Sequence, residues 1–530
     1  MSDPAEIANR FADVFADACT PFTTAHFETS RSKFYDKLSG SFYCNRSKAS
    51  PCSISSIDDI IQGLKRNKAA SLDGLTAEHI IFSHPVTVDV ITKLINFMIK
   101  IEYIPDAFGF SVTIPIPKDN SSKLQSASSN YRGITISPII SKIFELCILN
   151  IYRKFLNSDA QQFGFKKNVG TSHAIFSVCR VVNYFTENES TVSLCSVDLV
   201  QAFDRLNRYI LFDKLLSSHC PIQFINIMEC WLSKSFTVVK WNGILSTPKL
   251  LSSGVRQGGI LSPVLFSVYL NDLLIKLKIS NLGCFIKHIC FSVFMYADDL
   301  LLLAVSLRDL QAMIDICEEE FLLLDMKVNF KKSHCMRVGR RYKENIVSPT
   351  VGKNKVNCCS ELRYLGVTFV AGFSLRCDFH KAKAKFFGSL NSILGKLGKS
   401  PSEPLLLSLA SSKCSPILCF GTEACNITNS QIANLAFVNN SIYVKIFHTF
   451  DKSIIDSCHF YMGYLLFHDL RRFNFYKNLY LYGTSPASII FNLHCQGELH
   501  QLCAKYVIDV NMSDRNVKKA FWRVFQAGLV

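Results

Sequence analysis

Apolar positions recur at three- and four-residue spacing through TVDVITKLINFMIKIEYIP, which predicts a helix ended by Pro105. FSVTIPIPKDNSSKLQSASSNYRGITISP then predicts a strand, a polar loop and a second extended piece. Helical spacing returns in IISKIFELCILNIYRKFL and in YILFDKLLSSH, with the strand-forming run TVSLCSVDLV between them. FTVVKWNGILSTPKLLSSG predicts a hairpin around Asn242-Gly243, and VLFSVYLNDLLIKL, after Pro263, a further helix. The run VFMYADDLLLLA is almost entirely apolar, yet it carries Asp298 and Asp299 side by side. Neighbouring side chains on a strand point to opposite faces, so two adjacent carboxylates converge only at a turn. The pattern predicts strand, tight turn, strand, with the carboxylates at the tip. The helix LRDLQAMIDICEEEFLLLDM follows.

Mixed helix and strand continue to about residue 370, and the chain beyond is mostly helical and basic from FHKAKAKFFGSLNSILGKLGK onward. Residues 1–62 are mixed and end in the Ser-rich run SKASPCSISSIDD, predicting an extension or linker that leads to a helix cap. There is no internal repeat. The 530 residues, 48% of them hydrophobic, suffice for two or three domains.

Charge changes the picture. Lys and Arg number 58 against 42 Asp and Glu, a net +16 that points to a polyanionic partner, nucleic acid before a membrane surface. The 21 cysteines lack a disulfide-scaffold spacing, and no secretory apolar region follows the acidic start, which predicts a reducing, intracellular compartment. The apolar windows 289–307 and 404–420 are each broken by charge or Pro, so the expectation is a soluble chain without a membrane partner. His494, Cys495, His500 and Cys503, and Cys414 with Cys419, lack the paired half-sites of zinc and read as ordinary buried residues.

Adjacent carboxylates in an apolar run need a cation or strong hydrogen bonds, because burying an ionised carboxylate alone costs several kcal/mol. Mg2+ prefers oxygen ligands and shares one or two carboxylates with substrate phosphates. An upstream partner is present in LCSVDLVQAFDRL, where Asp198 ends a strand. Asp204, six residues on, stands where a helix cap is the simpler role. Two metals about 3.5–4 Å apart activate an attacking hydroxyl and stabilise a leaving group, which is the chemistry of nucleotidyl transfer.

These residues fall in a larger pattern. KRNKAASLDGLTAEHI, IPIPKDN with NYRGITISPIISKIFE, QQFGFKKNVGTSHAI, SVDLVQAFDRL, GVRQGGILSPVLFSVYLNDL, YADD, NFKKS and ELRYLGVTF occur in this order over residues 65–370. The chain resembles the reverse transcriptases of non-LTR (LINE-like, jockey-type) retrotransposons. The resemblance implies an α+β, right-hand polymerase fold, with fingers and an antiparallel-sheet palm over residues 63–370. It also implies a helical thumb over 371–480 and a C-terminal tail over 481–530. The implied activity is RNA-directed DNA polymerisation from a primer 3′-hydroxyl on an RNA template with dNTPs, using two Mg2+ ions, with Mn2+ as an alternative.

By the same resemblance, Asp198 and Asp298 ligate both metals and Asp299 supports the site. Lys118 and Arg132 match the cations that grip the triphosphate; Arg grips in bidentate fashion, Lys as a point charge. Gln257 stands where the family packs nucleotide and template, with Gly254, Gly258 and Gly259 allowing close backbone approach. Phe203 matches the aromatic that discriminates the sugar, and Lys332, beside Lys331, the lysine that protonates pyrophosphate. The chain departs from the family in reading YRGI where many relatives have Pro. It also begins where the family's linker begins, without upstream endonuclease, downstream Cys/His knuckle or ribonuclease H motif, so the expectation is either a truncated copy of an element or nicking by other chains. A group II maturase-like protein would bring a Cys-pair nuclease signature that the tail lacks. A non-catalytic nucleic-acid-binding derivative of a truncated element copy is the other alternative, and the three intact carboxylates count against it.

Overall fold

The chain builds two compact units from interleaved stretches: Met1–Phe165, Asp198–Ile279 and Asp315–Asn329 form the first, and Lys166–Val197, Ser280–Ile314 and Phe330–Val530 the second. The computed structural model describes residues 3–41, 50–118, 128–344, 347–398, 402–462 and 468–527.

In the first unit, the strand Phe110–Pro117 pairs antiparallel with Tyr131–Ile136 and parallel with Phe236–Trp241. The polar loop predicted between the first two falls largely outside the described residues. The predicted hairpin closes at Asn242 and Gly243, both with positive φ (46° and 85°), as a two-residue turn of this class requires. The cross-strand rings of Phe110 and Phe236 stack at 4.8 Å.

Residues 1–62, expected as an extension or linker, hold the helices Pro4–Ala18, Thr24–Ser41 and Ile54–Gln62. Asp3 caps the first through the amide of Ala5, and Pro4 sits at its first turn, where a missing N–H costs nothing. This helix buries Phe11 and Ala12 against Val239, with Phe15, Tyr131 and Trp241 around them. The Ser-rich run does end in a cap: Ser53 accepts from the amide of Ser56.

The second unit is organised by a five-stranded sheet in the order Asn357–Cys358, His334–Val338, Val192–Val197, Asp299–Ala304, Val293–Tyr296. Its first pair is parallel and the others antiparallel. Leu300 to Leu303 are fully buried, which explains why this strand reads as a continuous apolar run rather than an alternating one. A three-stranded antiparallel sheet spans Glu361–Tyr364, Val367–Val370 and Arg376–Asp378. From His380–Leu397 the chain is helical, and helices continue through the expected tail to Asp514–Ala527. No helix among the described residues is long and apolar enough to cross a membrane.

Candidate active site

In the first unit the hairpin of Phe110–Pro117 and Tyr131–Ile136 presents an outward face. Ile116 is paired with Arg132, and Lys118, two residues beyond Ile116, donates its amide to Asn130. Period-2 alternation therefore puts Lys118 and Arg132 on one face of the hairpin, and both are exposed there. Their charges act on Asp204, whose carboxylate accepts a 2.9 Å hydrogen bond from Gln257 Nε2. Four residues distant in sequence thus share one neighbourhood: Lys118, Arg132, Asp204 and Gln257.

Asp204 is not a helix cap. The next helix, Arg208–Ser217, is capped by Asn207, whose side chain accepts from the amides of Tyr209 and Ile210. Burial pushes the Asp204 carboxyl up to about 6, against the opposing pull of Gln257, Lys118, Arg205 and Arg132. A raised carboxyl pKa favours the folded state below the unfolded pKa near 3.8, and that contribution is lost as pH rises through about 6. Asp204→Asn is therefore expected to raise the melting temperature at pH 8, by up to about 3 kcal/mol of stability, with the gain vanishing toward pH 4. Thermal melts of both proteins across that range check it; a gain that grows on acidification would contradict the assignment.

The loop bearing Gln257 is fixed from behind. Its carbonyl accepts from the Thr135 amide at 3.0 Å. The buried carboxylate of Glu145 accepts from the amides of Ile260 and Leu261 at the start of helix Ser262–Tyr269, where the helix dipole favours a negative charge. Burial raises the Glu145 carboxyl, while those amides and the Arg256 charge pull it back. Arg256 is itself buried and donates to the carbonyls of Phe108 and Gly109. Two glycines are obligatory by contact. A Cβ on Gly254 (φ +77°) would lie 2.2 Å from the Asp204 carbonyl oxygen, and one on Gly258 (φ +116°) 2.5 Å from that of Thr135.

Phe203 sits in the turn after the Asp198 segment. Its ring stacks on Phe266 at 4.2 Å and meets Phe165 edge-on at 6.3 Å, leaving it half-buried. Asp198, also half-buried, directly follows the strand Val192–Val197; its carbonyl accepts from Asn329, and Leu199 bridges Val328.

In the second unit the predicted turn is present. Tyr296 pairs with Asp299, so Ala297 and Asp298 form the two-residue loop, and Asp299 begins the return strand. Ala297 holds φ at +58°, a conformation that costs an L-residue about 1–2 kcal/mol and persists only where its surroundings impose it. Asp298 is half-buried and Asp299 exposed. Tyr364 is fully buried, its hydroxyl has no hydrogen-bond partner, and burial followed by the charge on Asp299 pushes its phenol up. Lys331 and Lys332 both lie exposed in the turn before His334–Val338, so their placement does not separate them. Asp198 and Asp298 are half-buried and Asp299 exposed, and all three carry hard carboxylate oxygens, the donor chemistry suited to Mg2+, which keeps several of its waters.

Residues 116–369 match the family described as Reverse transcriptase (RNA-dependent DNA polymerase). This stretch is a reverse transcriptase domain. Every candidate residue above lies inside it, and so do the pairing of Val197 with Leu300 and the Gln257 loop. The chain is 23% identical over 314 residues to the Retrovirus-related Pol polyprotein from type-2 retrotransposable element R2DM of Drosophila melanogaster, covering 58% of this chain and 29% of that one. It is 25% identical over 341 residues to the RNA-directed DNA polymerase from mobile element jockey of Drosophila funebris, covering 62% and 36%. A third relative is the Probable RNA-directed DNA polymerase from transposon BS of Drosophila melanogaster, 23% identical over 276 residues, covering 51% and 30%. The reverse transcriptase domain is thus LINE-like, and its mixed helices and sheets are of the right-hand polymerase class. The chain spans about a third of the length of these relatives.

Sequence reasoning missed Glu145, Arg256 and Tyr364. Glu145 had a legible signal, since it falls among Phe144, Cys147 and Ile148 on the buried face of helix Ile139–Tyr152, where a carboxylate needs partners.

Proposed function

We propose that this chain is an RNA-directed DNA polymerase of a LINE-like element, extending a primer 3′-hydroxyl on an RNA template. The observation that carries the reading is the antiparallel pairing of Val197 with Leu300: Asp198 is the residue after the first, and Asp299 the residue before the second. Asp198 and Asp298, with Asp299 beside them, would hold two Mg2+ ions. When bound, these supply Lewis acidity toward the 3′-hydroxyl and charge stabilisation for the departing pyrophosphate.

The protein's own groups have separate tasks in this proposal. Arg132 and Lys118 bind the triphosphate, the guanidinium by paired hydrogen bonds and the ammonium as a mobile point charge. Gln257 is held by Asp204 so that its loop presents backbone to the template base and incoming nucleotide. Phe203 limits the space beneath the sugar. Lys332 Nζ gives a proton to the leaving pyrophosphate. We assign fingers and palm to residues 63–370 and the thumb to 371–480, where exposed Lys381 and Lys385 on helix His380–Leu397 would contact duplex phosphates. The reaction belongs inside the cell, in cytoplasm or nucleus, and requires no membrane.

Primer extension on poly(rA)/oligo(dT) with purified protein and Mg2+ tests the proposal. Incorporation of dTTP that chelation abolishes is expected; duplex binding without extension would leave a nucleic-acid-binding protein instead. Binding itself should weaken linearly with salt on a log–log plot, because cations that contact phosphates release counterions, with a slope of about −0.9 per phosphate on B-DNA. An affinity unmoved by salt would contradict the role given to the +16 charge.

A further inference from the structure

We propose that Cys179, Cys377 and Cys425 form a binding site for one thiophilic d10 metal ion, Zn2+ or Cu+. All three are buried, and their sulfurs lie within 4.8 Å of one another. They are the one group of three or more potential ligands of this kind among the described residues. Cys179 is on the helix Thr171–Glu187, Cys377 on the strand Arg376–Asp378, and Cys425 in the turn after helix Ser415–Cys419. All three belong to the second unit.

The geometry suits a metal with little rearrangement. Thiolates about 2.3 Å from Zn2+ stand about 3.8 Å from each other, so the sulfurs need to close by an ångström or less. Thiolate sets select soft, closed-shell ions over Mg2+, which separates this site from the carboxylates. Three sulfurs alone satisfy trigonal Cu+, whereas Zn2+ would need a water as fourth ligand.

The surroundings also supply charge. Arg180 and Arg472 act electrostatically on the Cys179 sulfur. Among the described residues both pair with one carboxylate, Glu498, at 2.7 and 2.8 Å, two cations to one anion. Arg180 Nε is buried without a hydrogen-bond partner. An anionic metal–thiolate centre would balance that excess. On coordination each thiol gives its proton to solvent and its sulfur lone pair to the metal, with no change of oxidation state.

The test uses the full chain stripped of metal under reducing conditions and titrated with Cd2+, which reports thiolate ligation by ultraviolet charge-transfer absorption. Absorption saturating at one equivalent is expected, and it should be lost in Cys377→Ser and Cys425→Ser variants whose circular dichroism is native. Parallel titrations with Zn2+ and with Cu+ should each raise the melting temperature where Mg2+ does not; the larger shift identifies the resident ion. Should the variants fail to fold, the wild-type stoichiometry decides. No absorption, a rise that continues over several equivalents, or a disulfide between two of these residues in the purified protein would each overturn the site.

Discussion

Asp298→Asn is expected to lower primer extension at least about a thousandfold while leaving affinity for template–primer within a few fold. Asn is nearly isosteric, so the two-residue turn and the Tyr296–Asp299 pairing that define the hairpin should persist. What changes is charge. A neutral amide replaces a carboxylate at a proposed metal ligand, where transition-state charge stabilisation is worth several kcal/mol and each 1.4 kcal/mol is about tenfold in rate. Steady-state extension and filter binding on the same preparation measure the two effects separately. Extension near the wild-type rate would remove Asp298 from the metal site.

Phe203→Val is expected to reduce the preference for dNTPs over rNTPs by about tenfold or more, read as the ratio of kcat/KM values. The ring is clamped face-to-face on Phe266 at 4.2 Å, and its carbonyl accepts from the Val255 amide at 3.0 Å, so neither ring nor backbone is free to yield. A rigid apolar ring rejects a 2′-hydroxyl by lack of room and offers it no acceptor. Shortening the side chain opens that space. Because Phe203 is only half-buried, the accompanying loss of stability should stay below the about 3–5 kcal/mol of a fully buried Phe truncation. A folded mutant with an unchanged ratio and a lowered melting temperature would make Phe203 a packing residue alone.

What could be read from the residues depended on how far apart the partners lie. The Asp298–Asp299 hairpin was legible because its apolar run, its carboxylates and its turn are contiguous, and the Asn242–Gly243 hairpin for the same reason. The helix Pro4–Ala18 left local signals, Asp3, Pro4 and the spacing of Ile7, Phe11 and Phe15. Its reason for existing, however, is a surface made by Val239, Trp241 and Tyr131, which no local window contains. Local spacing makes a cap the simpler role for Asp204 because its partner Gln257 is remote in sequence, whereas Asn207, three residues on, performs the capping. The cysteine trio is illegible in the same way, whereas the short spacings at Cys414–Cys419 and His494–Cys503, which sequence makes conspicuous, gather no such group among the described residues.

The interleaving of the two units has a consequence for how the protein is made. The first unit is incomplete until Asp315–Asn329 has left the ribosome, and the second opens with Lys166–Val197 but needs strands as late as Asn357–Cys358 for its main sheet. The second unit is begun long before the first is finished, and the strand Val192–Val197 waits, apolar and unpaired, for partners made more than a hundred residues later. Nascent chains are therefore expected to lean on chaperones until well past residue 338, and chains ended before that point to expose the unpaired apolar strand and aggregate.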